Sequence, residues 1–144
     1  MKHLSVIVPC HNEEESLPLF YDEMKKIGDS LKKRVTMELL LINDGSTDQT
    51  LSVMRELCKK DHQVHYLSFS RNFGKEAAMY AGLEHAAGDY VTIMDADLQD
   101  PPSLLPLMLD GIEKEGYDCV ATKSTSRNGY SFFLEKPLPD GFIK

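Results

Sequence analysis

Apolar residues fall along the chain in two alternating kinds of run. Short continuous ones, rich in β-branched side chains, occupy Leu4–Val8, Leu39–Ile42, Val64–Phe69 and Tyr90–Met94, with a further one at Tyr117–Thr122. Between them the apolar positions spread to helical spacing. Leu17, Phe20, Tyr21, Met24, Ile27 and Leu31 mark the first helix, and Leu51, Met54 and Cys58 the second. An alanine-rich stretch from Lys75 to Ala87 marks the third, and Leu104, Leu105, Met108 and Ile112 the fourth. Pro9, Asn43-Asp44-Gly45-Ser46, Arg71-Asn72-Phe73-Gly74 and Gly88 punctuate the pattern. Ser46 and Gln49 have the spacing of a capping box, and Asp100-Pro101-Pro102 reads as a helix start with Asp100 as cap.

Strand–helix alternation of this kind predicts an α/β fold: a mostly parallel, Rossmann-like sheet with helices on both faces. Unbroken apolar strands suit a sheet covered on both sides. The pattern carries one domain over residues 1–123. Residues 124–144, rich in Ser, Gly and Pro, are expected to form an irregular tail whose apolar content is Phe132–Leu134 and Phe142–Ile143.

Composition narrows the function by exclusion. The 144 residues are 42% hydrophobic, enough for one core, and carry a net charge of −7. That sign is wrong for a nucleic-acid binder. Cys10, Cys58 and Cys119 are odd in number and have no C-x-x-C spacing, as in a reducing, cytoplasmic setting. Met1-Lys2-His3-Leu4 lacks a signal-peptide layout, and no run approaches the ~20 apolar residues of a spanning helix. No G-x-G-x-x-G follows the first strand and no P-loop is present. A nucleotide bound here would have its diphosphate held by a cation rather than by a glycine-rich loop. His3, His11, His62, His65 and His85 show no metal-ligand spacing, and no serine has a nucleophile-elbow setting.

Parallel sheets bind ligands beyond the carboxyl ends of their strands. The loops there hold His11-Asn12-Glu13, Asp44-Gly45-Ser46, Arg71-Asn72-Phe73-Gly74-Lys75 and Asp95-Ala96-Asp97-Leu98-Gln99-Asp100. Asp95 and Asp97 stand two apart at a strand end, which aims both carboxylates at one spot. Two such carboxylates repel unless a cation lies between them, and a hard divalent ion shared with diphosphate oxygens is the natural occupant. Gln99 can add a carbonyl oxygen. Asp44 is open between accepting hydrogen bonds from a nucleoside and serving as a turn residue. Glu13 is open between a nucleoside contact and the positive end of the helix it precedes. Arg71 and Lys75 are open between phosphates and solvent.

Val6-Ile7-Val8-Pro9-Cys10-His11-Asn12-Glu13-Glu14, Asn43-Asp44-Gly45-Ser46-Thr47-Asp48, Ser70-Arg71-Asn72-Phe73-Gly74-Lys75-Glu76-Ala77 and Met94-Asp95-Ala96-Asp97-Leu98-Gln99-Asp100-Pro101-Pro102 together resemble family 2 glycosyltransferases of the GT-A fold. The similarity is to the polyprenyl-phosphate hexosyltransferases and covers roughly residues 3–123. It implies a nucleotide-sugar-binding domain that moves a hexose from a nucleotide diphosphate sugar to a polyprenyl phosphate, UDP-glucose being preferred and GDP-mannose second. By the same resemblance Pro9, His11 and Glu13 hold the nucleoside, and Ile42 and Asp44 the base. Asp95, Ala96 and Asp97 form the D-x-D segment, with Asp97 catalytic. Asp95, Asp97 and Gln99 hold Mg²⁺ or Mn²⁺, and Lys75 and Lys123 also contact the donor. His11 stands where relatives often have Tyr, and Lys123 where an arginine often stands. The family works at the cytoplasmic face of a membrane. Its acceptor-side segment is not recognisable in residues 124–144, so a truncated chain that binds donor without transferring is the alternative. Oligomeric state, monomer or homo-oligomer, stays open.

Two unrelated modules with acidic strand ends fit less well. A receiver module would place a phosphorylatable Asp after the third strand, where Ser70-Arg71-Asn72 stands. A haloacid-dehalogenase-like phosphatase would place its D-x-D after the first strand, not the fourth.

Overall fold

A computed structural model describes residues 1–126 and 129–135, with side chains through residue 121. The elements run β1 (Lys2–Cys10), α1 (Ser16–Leu31), β2 (Val35–Asn43), α2 (Thr50–Lys60), β3 (Val64–Ser68), α3 (Lys75–His85) and β4 (Tyr90–Ile93). A 3-10 turn at Pro102–Leu104 precedes α4 (Leu105–Glu113), β5 (Cys119–Ser126) and β6 (Gly129–Glu135). The chain forms two compact units, residues 1–102 and 103–144.

In the first unit β1 to β4 make one parallel sheet in the order β3-β2-β1-β4. From Leu4 to Cys10 every residue of β1 is buried, as a strand covered on both faces requires. The register Val6↔Leu39 and Ile7↔Leu40 sorts the faces. Ile7, Leu40 and Ile42 meet Ala78 of α3 in one buried cluster, edged by Leu67, Phe69 and Ala86. The helix comes so close that a β-carbon on Gly82 would lie 2.3 Å from Ile7 Cγ2. On the opposite face α1 lies over β2, where a β-carbon on Gly28 would stand 2.8 Å from Met37 Cε. The helical stripe of α1 (Leu17, Phe20, Tyr21, Met24, Leu31) is buried throughout. Each such side chain contributes roughly 1.5–3 kcal/mol when fully buried. The expected α/β architecture, a parallel sheet with helices on both faces, is therefore the observed one.

In the second unit α4 lies beside β5, with Leu105, Leu109 and Val120 buried. β5 pairs antiparallel with β6 in a separate two-stranded sheet. The run at Tyr117–Thr122, expected to continue the alternating series, is thus half of a hairpin. Residues 124–126 complete β5 and residues 129–135 form β6, where irregular chain was expected. Gly129-Tyr130-Ser131-Phe132-Phe133-Leu134 is a β-favouring run behind an Asn-Gly pair, a hairpin signal that the Ser/Gly content had outweighed. Residues 136–144, with Phe142–Ile143, lie outside the described residues.

Two capping expectations are corrected. The Ser46/Gln49 box does not form: α2 starts at Thr50, and its N-cap Gln49 makes no side-chain cap bond. Asp48 does the work instead, accepting from the Thr50 N–H at 2.9 Å and from the Thr50 hydroxyl. Asp100 does not cap α4, because the 3-10 turn at Pro102–Leu104 moves the helix start to Leu105. Among the described residues no helix is long and apolar enough to cross a membrane.

Candidate functional site

The strand order places a topological switch at β1. The chain winds outward through β2 and β3 on one side of it, and β4 lies on the other. Crevices at such points, beyond the carboxyl ends of the strands, are where open parallel sheets bind ligands. A cavity of about 190 Å³ opens there, lined by Pro9, Cys10, His11, Glu13, Asp44, Lys75, Asp95 and Asp97. Pro9 and Cys10 end β1, His11 and Glu13 follow it, Asp44 follows β2, Lys75 opens α3, and the two aspartates follow β4.

The first loop is tied to the second by Asn12. Its backbone is left-handed, with φ of 53°. Its side-chain oxygen accepts the N–H groups of Thr47 at 2.8 Å and Asp48 at 3.3 Å, and its own N–H donates to Ser46 Oγ. Asn tolerates that conformation better than most residues. His11 Nδ1 lies 2.8 Å from the Asp44 carbonyl oxygen and 3.1 Å from the Asn72 amide nitrogen, so the imidazole joins all three loops. Glu13 accepts from the Ser16 hydroxyl, and its carbonyl receives the Leu17 N–H that opens α1, so it serves the helix start while lining the cavity.

Asp44 is 4% exposed and pins the third loop. Its Oδ1 accepts the Phe73 N–H at 2.7 Å, and its Oδ2 the Gly74 N–H at 3.1 Å. The local turn bond is made by Asn43, whose Oδ1 accepts the Ser46 N–H at 3.1 Å, while Asp44 braces the third loop and lines the cavity. Gly45 makes the approach possible: its φ is +63°, and a β-carbon there would fall 2.1 Å from the Asn72 nitrogen. Arg71 stacks over the Phe73 ring at 4.0 Å, and Phe69 meets that ring edge-on, so Arg71 stiffens the loop rather than lining the cavity.

Beyond β4, Ala96 is 1% exposed, and this inward turn leaves Asp95 and Asp97 on the cavity side. Leu98 takes a left-handed φ of 62°, a conformation costing a non-glycine residue on the order of 1 kcal/mol. The Gln99 N–H donates to Asp97 Oδ1 at 3.1 Å. Lys75 Nζ stands 2.6 Å from Asp95 Oδ1. Four carboxylates therefore face one cavity against one lysine and one imidazole. Cys10, on the cavity floor, reports that field: burial, then the charges of Glu13 and Asp95, push its thiol well above the usual range, which keeps it unreactive.

The expected donor-site residues divide accordingly. Pro9, His11, Glu13, Asp44, Lys75, Asp95 and Asp97 come together. Ile42 does not reach the cavity, because it faces α3 within the core. Ala96 supports the loop from inside, and Gln99 joins through its backbone N–H. Lys123 pairs with Ser131 in the β5–β6 hairpin, and its side chain lies outside the described residues. Cys10 and Asn12 were missed as site residues. Asn12 left a signal, a turn-former between two charged-type residues, whereas Cys10 followed an apolar strand and read as packing.

Among the described residues no three His, Cys, Asp or Glu side chains make a ready metal cage. The donor set still fits a hard cation of the kind that keeps waters and substrate phosphates, for which two carboxylates suffice. Asp95 already draws a positive group at 2.6 Å.

The family model described as "Glycosyl transferase family 2" matches residues 5–141. A relative named prophage bactoprenol glucosyl transferase homolog, from Escherichia coli (strain K12), is 42% identical over 125 residues, covering 87% of this chain and 40% of its own. Curated relatives of similar standing are matched over 38–40% of their own length. Among solved structures, the mannosyltransferase PcManGT from Pyrobaculum calidifontis, in complex with GDP-Man and Mn²⁺, is 28% identical with a TM-score of 0.58, over 65% of this chain and 27% of that one. S. aureus TarS in complex with UDP is 26% identical with a TM-score of 0.58, over 76% of this chain and 33% of that one.

Proposed function

The chain belongs to glycosyl transferase family 2, and from that premise we propose that it binds a nucleotide diphosphate sugar and passes the hexose to a polyprenyl phosphate. The observation that carries this reading is the meeting of Asp95, Asp97 and Lys75 in one cavity with Asp44, Glu13 and His11 at the sheet's switch point. An acid-lined cavity accepts a diphosphate only with added positive charge. Asp95 and Asp97 would hold Mg²⁺ or Mn²⁺, with the remaining positions open to phosphate and water. When bound, the ion supplies neutralisation of the departing diphosphate.

The chain's own groups do the rest. Asp44, His11 and Glu13 line the nucleoside end, where hydrogen-bonded carboxylates, Asp44 buried and Glu13 half-buried, orient a base and ribose. Lys75 supplies a positive charge beside the phosphates. In the transfer a lipid phosphate oxygen attacks the anomeric carbon, that carbon's bond to the donor's β-phosphate oxygen breaks, and the nucleoside diphosphate leaves. The acceptor is already an anion, so little base assistance is needed. Asp97 acts on the leaving-group side. The glucosyl and bactoprenol wording of the E. coli relative supports UDP-glucose and a polyprenyl acceptor at a membrane surface, with GDP-mannose second.

A narrower second reading, donor binding without transfer, is favoured by the cavity lining, which apart from Cys10 consists of residues expected on the donor side. Calorimetry with UDP-glucose and GDP-mannose, with and without Mn²⁺, tests donor binding. Labelled UDP-glucose with undecaprenyl phosphate in detergent tests transfer. Metal-dependent binding with lipid labelling supports the full reading. Binding without labelling leaves the narrower one, and no nucleotide binding overturns both.

A further inference from the structure

Lys75 holds an electrostatically awkward position. It is the first residue of α3, where the helix dipole presents its positive end and disfavours a cation. The fold nonetheless fixes it there. Asp44 clamps the N–H groups of Phe73 and Gly74 immediately before it, and Gly74 turns the chain at a φ of +100°. The ammonium then reaches across the cavity to Asp95 Oδ1 at 2.6 Å, one of the two carboxylates suited to a divalent ion. Lys75 is 57% exposed and Asp95 38%, so the pair is neither buried nor locked. A half-exposed ion pair of this kind is weak enough to exchange.

We propose that Lys75 is a resident counter-ion: it occupies Asp95 while the donor is absent and transfers to the donor's diphosphate when a divalent cation takes its place. The inference rests on the donor-site reading above and adds an order to it. Without nucleotide, lysine and metal compete for Asp95, so metal binds poorly. With nucleotide, the released ammonium gains phosphate oxygens within reach of its flexible four-carbon stem. Metal and donor then bind interdependently, although they share the same cavity wall. One of the four carboxylates of an acid-rich site is thereby offset in its empty state.

The test is Mn²⁺ binding followed by electron paramagnetic resonance of the free ion, on the full chain, with wild type, Lys75→Met and Lys75→Arg. Without nucleotide, Lys75→Met binds Mn²⁺ about twofold to fivefold more tightly than wild type, the range that loss of a half-exposed competing charge permits. Lys75→Arg stays close to wild type. With saturating Mn²⁺, the same Lys75→Met protein binds UDP more weakly than wild type, by a similar factor. Opposite signs in one variant cannot come from damaged folding, which lowers both affinities. Unchanged or weakened Mn²⁺ binding by Lys75→Met overturns the inference. If wild type still binds UDP or GDP in a metal-dependent way, the donor-site reading survives that result; if it binds neither, both fall.

Discussion

Two sets of carboxylates lie at opposite ends of the same parallel sheet and are treated oppositely by the chain. At the amino-terminal end, Asp61 closes α2 just ahead of β3. Its Oδ2 accepts from the Tyr21 hydroxyl at 2.9 Å and from Lys25 Nζ at 2.7 Å, and its Oδ1 from the Gln63 N–H at 2.9 Å. Burial pushes this carboxyl upward, but the bonds from Lys25, Gln63 and Tyr21 and the charge of Lys25 outweigh it and bring it down to about 2. At the carboxyl-terminal end, Asp95 meets one exchangeable lysine, and Asp97 accepts one backbone N–H. A carboxylate saturated by its own chain contributes to folding; one left with open lone pairs beside a cavity is available to a ligand. The difference lies in the partners, not in the residue type.

The largest expected effect tests the open end. Asp97→Ala removes metal-dependent binding of UDP-glucose or GDP-mannose in calorimetry altogether. Its folding stability in urea stays within about 0.5 kcal/mol of wild type, as for an exposed position. A nucleotide affinity that survives unchanged removes Asp97 from the donor site and with it one side of the contrast.

The saturated end gives the converse result. Asp61→Ala leaves the Tyr21 hydroxyl and Lys25 without their acceptor and costs about 2 kcal/mol of stability, measured by urea unfolding, a cost held down because Lys25 is half exposed. Donor affinity is unchanged, since the two sites are at opposite ends of the strands. A comparable loss of donor affinity would merge the two regions into one coupled network.

Asp44 shares features of both. It is buried and accepts backbone N–H groups, yet it lines the cavity. Asp44→Asn keeps one acceptor oxygen and loses the other, so it costs about 1 kcal/mol and weakens donor binding by a few-fold. Hydrogen exchange at Phe73 and Gly74 quickens, which separates loosening of the loop from simple loss of a ligand contact.

The same contrast explains what was legible in the sequence. The strands were, because β1 and β2 are covered on both faces and carry unbroken apolar runs. Asp95 and Asp97 were, because a strand-end position and a spacing of two are local properties. Ile42 was assigned to the donor by resemblance, but the strand's alternation turns it toward α3 and away from the cavity. The Ser46/Gln49 box lost to Asp48, whose carboxylate reaches the Thr50 N–H two residues on and leaves the earlier turn to other bonds. β6 was missed although its signal is local: Asn128-Gly129 and the β-favouring run behind it were outweighed by the flanking Ser and Gly in composition. The Lys75–Asp95 and Tyr21–Asp61 pairs join residues 20 and 40 positions apart, and nothing in their local sequence announces them.

The smallest effect is a pH dependence, and its sign follows from the depressed carboxyl of Asp61. A group held below its ordinary value of 3.8 stabilises the fold in full above that value, and the contribution fades as pH falls through about 2. Other carboxylates titrate there too. Hydrogen bonds and nearby imidazoles hold Glu38 down despite its burial, and Asp48 is lowered by its bonds to Thr50 and nearby backbone N–H groups despite its own burial. Wild-type acid sensitivity alone therefore does not isolate Asp61, but its difference from Asp61→Asn does. In urea unfolding the gap between the two proteins is constant from neutral pH down to about 4 and closes as the pH approaches 2. A gap that persists undiminished at pH 2 means that the Asp61 bonds act through shape rather than charge. Asp61 would then no longer stand as the charged, fully satisfied counterpart of Asp95 and Asp97.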